Sequence, residues 1–184
     1  MIVTHTSLQG CLVITPRIFN DDRGHFFESF NQKSFCEATG FDINFVQDNQ
    51  SFSTKGVLRG LHLQKGEHAQ SKLVRVTQGE VLDVAVDLRK ASPTYGQYVA
   101  ELLTADNHKQ LFIPRGFAHG FVVLSDEVIF QYKCDNYYNK ASEGGLHFAD
   151  PDINIDWQLP AAELLVSEKD EILPFLKDAA DFGF

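Results

Sequence analysis

The stretch Val57–Val81, VLRGLHLQKGEHAQSKLVRVTQGEV, holds two short apolar runs separated by a polar segment. Runs of this length, rich in Val and Leu and bounded by glycine and polar residues, are typical of β-strands. A histidine, a lysine and two arginines nevertheless occupy strand positions. Three explanations are open for these charged side chains: a metal site, a catalytic site or a strand face exposed to solvent.

Similar runs continue from Cys11 to Asp135 and predict an all-β sandwich or barrel, because they are too many for one flat sheet. Two helices are also predicted, Asn31–Ala38, which ends near a C-capping Gly40, and Ser167–Leu176. The predicted strands are Leu12–Thr15, His25–Phe30, Phe45–Ser53, Val57–Leu63, Lys72–Gln78, Val81–Leu88, Gln97–Thr104, Gln110–Ile113, His119–Leu124 and Val128–Asp135.

Length and charge narrow the class of protein. The chain of 184 residues has no dividing linker or fixed repeat, so we expect one domain over residues 1–184, with a barrel core at about 11–135 and a C-terminal wrap and helix at 136–184. A net charge of −9 disfavours binding to nucleic acid polymers or anionic membranes. Without a signal peptide or an apolar run near the roughly 20 residues that cross a bilayer, we expect a cytoplasmic protein. Its 3 cysteines form no CxxC pair and are expected to be reduced.

The metal alternative can be tested against the two motifs of cupin barrels, whose metal-binding members use histidines and a glutamate. The second motif, PxGxxH, is present at Pro114–His119. Where the first motif has a glutamate before its glycine, here Gly79, this chain has Lys72. A protonated lysine offers no lone pair to a metal, and no HxH pair accompanies His62. These motifs predict a cupin-type double-sheet β-barrel, or jelly roll, with a few short flanking helices and no metal.

Further motifs follow one another along nearly the whole chain. They are Asp22–Glu28, Val46–Asn49, Leu58–His62, Ser71–Val76, Asp83–Asp87, Ile113–Gly120, Tyr132–Lys133, Asn136–Tyr138, Ser142–Gly144 and Ser167–Asp170. Each is weak alone, but the ordered set closely resembles the dTDP-4-dehydrorhamnose 3,5-epimerase family. The resemblance implies a homodimeric enzyme without cofactor that inverts C3 and C5 of dTDP-4-keto-6-deoxy-D-glucose, giving dTDP-4-keto-L-rhamnose in dTDP-L-rhamnose biosynthesis.

The residues must also suit that chemistry. A ketone at C4 acidifies both neighbouring carbons, so inversion needs a base on one face, an acid on the other and a cation near the enolate oxygen. His62 is the candidate base, because imidazole groups in general accept protons near neutral pH. Lys72 shares strand parity with Val74 and Val76, which predicts an inward ammonium group beside the enolate. Tyr132 matches the tyrosine that serves as the acid in the family.

Two interpretations of Asp170 stay open. Ser167 and Asp170 have the spacing of a capping box, in which the carboxylate only returns a hydrogen bond to the Ser167 amide. The resemblance instead makes Asp170 the carboxylate that orients His62. Asp83, which follows Gly79 among inward positions, is the alternative partner for His62.

The resemblance also implies a set of substrate-binding residues. Arg23 and Arg59 offer guanidinium groups to the diphosphate, Gln47 and Asn49 offer amides to thymine, and Tyr138 is the expected stacking platform. The other members are Phe26, Glu28, Lys72, His119, Glu143 and Lys169. We expect several of them to act in the opposite subunit of the homodimer.

Rival functions remain at this point. An epimerase that inverts only C3 or only C5 would use the same histidine and tyrosine. A non-catalytic nucleotide-sugar-binding cupin would bind without hydrogen exchange, and a metal-dependent cupin oxygenase is disfavoured by Lys72. A sugar 3,4-ketoisomerase fits Tyr132 and Asp170 less well.

Overall fold

The structure, a computed structural model that describes residues 1–184, has thirteen β-strands, which include the predicted apolar runs. Two α-helices accompany them, α1 (Gln32–Thr39) and α2 (Glu168–Glu171). The strands are β1 (Ile2–His5), β2 (Leu12–Thr15), β3 (Phe19–Asp21), β4 (Gly24–Phe26), β5 (Gln47–Thr54), β6 (Leu58–Gln64), β7 (Lys72–Gln78), β8 (Glu80–Asp87), β9 (Tyr98–Thr104), β10 (Gln110–Ile113), β11 (Phe117–Val123), β12 (Glu127–Cys134) and β13 (Glu143–Gly145).

Eleven strands form two sheets that face each other. One sheet has six strands in the order β1-β2-β10-β7-β12-β5, and the other has five in the order β13-β6-β11-β8-β9. The strands β3 and β4 form a separate hairpin. The predicted double-sheet barrel with a few short helices is confirmed. None of the helices is both long and apolar enough to cross a bilayer.

Strand alternation divides the apolar residues into three layers. The layer between the sheets includes Val74 and Val76 of β7 and Phe130 of β12, all buried. Helix α1 covers the outer face of the six-stranded sheet through Phe35, which packs against Phe112. The C-terminal segment covers the outer face of the other sheet, where Trp157 joins the buried side chains of β6, β8 and β11. Apolar side chains thus fill part of the space between the sheets, and other inward side chains line a cavity there.

The two predicted helices have different outcomes. Asn31 caps α1 by accepting a hydrogen bond from the Ser34 amide, and Gly40 ends it in the left-handed region at φ 74°. That helix is confirmed with a shift of one residue at each end. The prediction of a helix over Ser167–Leu176 is wrong, because α2 ends at Glu171. Pro174 lacks an amide hydrogen and disfavours helical geometry in the preceding residue.

Several strand predictions need correction. The predicted strand His25–Phe30 is wrong beyond Phe26, where β4 leaves its hairpin. The strands β1, β3 and β13 were not predicted from their sequences, which are short and mostly not buried. Strands of three or four residues are too short to show an apolar alternation, although Val3 of β1 packs against the core.

A bulge in β6 sets the direction of two side chains. The pairing of β6 with β11 shifts register between His119 and Phe121. At the bulge Gly60 has φ 130°, and a Cβ atom there would lie 2.5 Å from the Cα atom of Gly120. In regular alternation Arg59 and His62 would point to opposite faces, whereas here both line the cavity between the sheets.

Candidate active site

Polar side chains from both sheets line a cavity inside the barrel, with a volume of about 610 Å³. A neighbouring recess of about 310 Å³ shares part of its wall. Lys72 and Tyr132 extend from the six-stranded sheet, and His62 extends from the facing five-stranded sheet. The residues common to both spaces are Asn49, His62, Lys72, Tyr132 and Lys169.

His62 and Asp170 are in direct contact. The Nε2 atom of His62 lies 2.5 Å from Oδ1 of Asp170, whose side chain is 4% exposed. The other carboxylate oxygen accepts a hydrogen bond from the Gly60 amide at 3.4 Å. Burial alone would raise the pKa of Asp170. The hydrogen bond and the electrostatic effect of His62, together with the hydrogen bond from the Gly60 amide, nevertheless lower this pKa overall. The carboxylate is therefore an anion held against the imidazole.

The same geometry decides how Asp170 relates to Ser167. The Ser167 hydroxyl caps α2 by accepting a hydrogen bond from the Asp170 amide at 3.3 Å. The carboxylate, however, contacts His62 and Gly60 instead of returning a bond to the Ser167 amide. Half of the capping box is present, and it positions Asp170 for the contact with His62.

Lys72 reaches into the cavity at the start of β7. Its ammonium group lies 5.9 Å from the centre of the Tyr132 ring. Burial lowers the pKa of Lys72, and the electrostatic effects of Cys134 and Asp83 only partly oppose that change. Burial also raises the pKa of Cys134 to about 11, so this thiol is neutral near pH 7. The inward direction predicted from the parity of Val74 and Val76 matches the structure.

Tyr132 presents a protonated phenol to the cavity. Burial, and next the charge of Cys134, raise the pKa of Tyr132, with Arg59 acting in the opposite direction. Its strand neighbours are Asn49 on β5 and Val74 on β7. A phenol held above its usual pKa keeps its proton at neutral pH and can donate it.

Asp83 does not contact His62, which removes it as the alternative partner. It lies on β8, fully buried, and its Oδ1 atom is 2.8 Å from Nε2 of His119. Burial lowers the pKa of His119, and the nearby Asp83 only partly opposes this. His119 is therefore a neutral imidazole that donates its Nε2 hydrogen to Asp83.

A second polar group surrounds the mouth of the recess. The Tyr138 hydroxyl donates to Glu143 at 2.9 Å, and the Lys169 ammonium donates to the other oxygen of Glu143 at 2.7 Å. On β5 the Gln47 amide donates to Asn49 at 3.0 Å. These five residues form a continuous polar rim that leads to His62.

Sequence reasoning missed some of the wall. Arg59 donates through Nε to the Ser53 hydroxyl at 3.2 Å, and Ser51 lines the cavity with a buried hydroxyl that has no hydrogen-bond partner. Both serines share the parity of Asn49, so strand alternation could have found them. Phe130 also lines the cavity, and its position two residues before Tyr132 on the same strand predicts that it points inward.

Three of the predicted binding residues line neither the cavity nor the recess. The side chain of Arg23 is 90% exposed in the hairpin β3–β4 and pairs with Asp21. Phe26 is 71% exposed, and Glu28 accepts a hydrogen bond from Asn31 at 3.0 Å. Within one chain these residues do not reach the cavity.

The donor set of the site does not suit a metal ion. No group of three or more His, Cys, Asp or Glu side chains is arranged to hold one. His62 and His119 are neighbours across β6 and β11, but each is bonded to its own carboxylate. Lys72 of the opposite sheet lines the same cavity and offers an amine in place of a carboxylate ligand.

Comparison with known proteins gives the family. The family model described as dTDP-4-dehydrorhamnose 3,5-epimerase matches residues 5–178. The chain belongs to this epimerase family. A dTDP-4-dehydrorhamnose 3,5-epimerase of Shigella flexneri is 55% identical over 170 residues, which cover 92% of this chain and 93% of the relative.

Two solved epimerases are similar in structure. The dTDP-4-dehydrorhamnose 3,5-epimerase of Elizabethkingia anophelis NUHP1 matches with a TM-score of 0.94 and 54% identity over 97% of both chains. The dTDP-6-deoxy-D-glucose-3,5-epimerase of Legionella pneumophila Philadelphia 1, in complex with dTDP-4-keto-L-rhamnose, matches with a TM-score of 0.93 and 46% identity over 97% of this chain and 94% of that one. The predictions of a dTDP-4-dehydrorhamnose 3,5-epimerase and of a cupin-like jelly-roll fold are both confirmed.

Proposed function

We propose that this epimerase inverts C3 and C5 of dTDP-4-keto-6-deoxy-D-glucose through His62, Lys72, Tyr132 and Asp170. One observation supports the proposal above all others. His62 and Tyr132 extend from opposite sheets into one cavity, with Lys72 also in its wall. Inversion requires that a carbon lose its proton on one face and regain one on the other, so a base and an acid on facing walls suit it.

His62 is the base in this proposal. The carbon next to the ketone gives its proton to the imidazole, and the electron pair moves onto the C4 oxygen as an enolate. Asp170, held at 2.5 Å, fixes the ring and stabilises the imidazolium that forms. Because Nε2 faces the carboxylate, the other ring nitrogen, Nδ1, is the atom that takes the substrate proton.

Lys72 and Tyr132 complete the reaction. The ammonium group stabilises the negative oxygen, where a positive charge in a dry site has its largest effect. The enolate then collapses, and its carbon takes the Tyr132 phenol proton from the opposite face. The same ketone activates C3 and C5. One set of groups serves both carbons once the His62 imidazolium has released its proton to solvent and the Tyr132 phenolate has taken one up.

The nucleotide lies along the polar rim in this proposal. Tyr138 stacks on the thymine, and Gln47 with Asn49 reads its amide edge. Arg59, whose Nε is bonded to Ser53, keeps its terminal nitrogens for the diphosphate. Glu143, Lys169 and His119 provide the further polar contacts along this path.

Arg23, Phe26 and Glu28 act in the site of a second copy, so the working enzyme is a homodimer. Their exposure supports this, since exposed hydrophobic groups next to an arginine are common at interfaces. We further propose that residues 1–184 act as one domain, in the cytoplasm, without cofactor. The packing of Trp157 and its neighbours onto the five-stranded sheet supports the single domain.

Product stereochemistry tests this function. The purified chain is incubated with dTDP-4-keto-6-deoxy-D-glucose, and the proton couplings at C3 and C5 are followed by NMR. We expect both centres to invert. Inversion at C3 alone or C5 alone would identify a mono-epimerase, and tight binding without any inversion would indicate a nucleotide-sugar-binding protein.

A further inference from the structure

Tyr138 lies on the loop between β12 and β13, and its side chain is 52% exposed at the mouth of the recess. A tyrosine side chain has only two rotatable bonds, so the position of its ring depends mainly on the backbone that carries it. Residues 135–139 of this loop belong to no strand or helix. Contacts outside the regular ladders must therefore hold the backbone of Tyr138 in place.

Two glutamine side chains hold consecutive amides of this loop. The Tyr138 amide donates to Oε1 of Gln47 at 3.2 Å. The next amide, that of Asn139, donates to Oε1 of Gln64 at 3.0 Å. Gln47 lies on β5 of the six-stranded sheet, and Gln64 lies on β6 of the five-stranded sheet. The loop is therefore fastened to both sheets next to the Tyr138 ring.

Gln64 is the member of this pair that was not among the predicted binding residues. It is only 6% exposed, it lines the recess, and it comes two positions after His62 on β6. Glutamine is mostly an exposed residue, and buried amide groups are as a rule hydrogen-bonded. A backbone N–H group can only donate, so the Gln64 atom that meets the Asn139 amide is the oxygen. Nε2 is then the atom left without an acceptor in the chain.

The contact with Gln64 closes a circuit around Tyr138. The Tyr138 hydroxyl donates to Glu143, and Glu143 is the partner of Gln64 in the pairing of β13 with β6. The Asn139 amide, next in the chain to Tyr138, returns to the Gln64 side chain. Both the backbone and the tip of the tyrosine are thus tied to one position of β6.

We propose that Gln64 is a positioning residue that holds the Tyr138 ring at the recess through the Asn139 amide, so that β6 places both the base His62 and the nucleotide platform. The inference rests on the proposed stacking of thymine on Tyr138. A platform held in advance spares the nucleotide the cost of ordering the loop when it binds. Gln64 acts through Tyr138 and not on the reacting carbons, so its loss should weaken binding and leave the chemical step.

The test compares Gln64→Met with the wild type and with Gln78→Met. Methionine keeps the unbranched shape of the side chain but offers the Asn139 amide only a weak acceptor. Gln78 is the matched control, because its amide group donates to Glu127 at 3.2 Å and it lines neither the cavity nor the recess. The first readout is hydrogen exchange of the Asn139 amide, followed by NMR without ligand. It depends on neither epimerase activity nor nucleotide binding.

We expect the Asn139 amide to exchange at least roughly threefold faster in Gln64→Met, because its hydrogen bond to the protein is lost. The Kd for dTDP, measured by calorimetry, should rise roughly 3- to 10-fold, the range for one hydrogen bond between uncharged groups. The kcat should fall less than about twofold. Gln78→Met should change none of these values. In a Tyr138→Ala background, Gln64→Met should not raise the Kd further.

The wild type keeps the proposal testable if Gln64→Met does not fold, since an Asn139 amide that exchanges like that of a free peptide would overturn it. An unchanged Kd in folded Gln64→Met, where Tyr138→Ala weakens binding, would also overturn it. So would additive losses in the double variant, which would show that Gln64 contacts the nucleotide directly. A Tyr138→Ala variant that binds dTDP as tightly as the wild type would instead contradict the proposed thymine site, while the exchange of the Asn139 amide would still decide whether Gln64 holds the loop.

Discussion

Replacement of Asp170 by Asn tests the contact on which the base depends. The change keeps the size of the side chain but removes the charge that lies 2.5 Å from Nε2 of His62, in a side chain only 4% exposed. A hydrogen bond to a charged group contributes about 1.5–3 kcal/mol, which corresponds to a roughly 10- to 160-fold loss of rate. Since the proposed mechanism forms the imidazolium as the substrate loses its proton, the loss should appear in kcat more than in the Kd for dTDP.

The assay is the initial rate of hydrogen exchange at C3 and C5 of the keto sugar in deuterated water. Glu171→Gln is the matched control, because it removes an exposed carboxylate from the next position of α2. Wild-type exchange in Asp170→Asn, with the fold intact by circular dichroism, would refute the role of the carboxylate. An equal loss in Glu171→Gln would show that the effect comes from the helix and not from the contact.

Three further predictions concern the acid, the diphosphate site and acid stability. Tyr132→Phe should retain hydrogen exchange next to the ketone while inverted product falls at least tenfold, and an unchanged ratio of product to exchange would argue against the phenol as the acid. Arg59→Gln should raise the Kd for dTDP roughly tenfold or more, from the loss of a charged hydrogen bond of about 1.5–3 kcal/mol, as measured by calorimetry. Despite burial, hydrogen bonds from Arg89, Ser92 and Thr94 lower the pKa of Asp87 to about 2. Because this pKa is below that of the unfolded chain, the associated stability of about 2 kcal/mol is present above pH 4 and lost toward pH 2. Chemical denaturation should show this loss in the wild type and not in Asp87→Asn.

Much of the barrel could be predicted from the sequence because it depends on alternation. The inward directions of Lys72 and Tyr132 follow from the apolar residues two positions away on each strand, and those residues form the layer between the sheets. The contact of Asp170 with His62 spans 108 positions and followed only from the family resemblance. The structure was needed to choose between Asp170 and Asp83, because only the contacts show that Asp170 meets His62 while Asp83 meets His119.

Other features of the site depend on contacts that a local pattern does not contain. Arg59 and His62 face the same cavity only because of the bulge at Gly60, which breaks the alternation. The hairpin with Arg23 and Phe26 is exposed, so no core pattern marks it. The single turn of α2 resulted from Pro174, whose effect outweighed the capping signal at Ser167.

Deuterium incorporation tests the central claim most directly. The chain is mixed with dTDP-4-keto-6-deoxy-D-glucose in deuterated water, and the sugar is examined by NMR and mass spectrometry, with His62→Ala as the comparison. The account predicts one solvent deuterium at C3 and one at C5 with the wild type, and a loss of both with His62→Ala in a folded protein. Inverted product without solvent deuterium, or full exchange in His62→Ala, would contradict it.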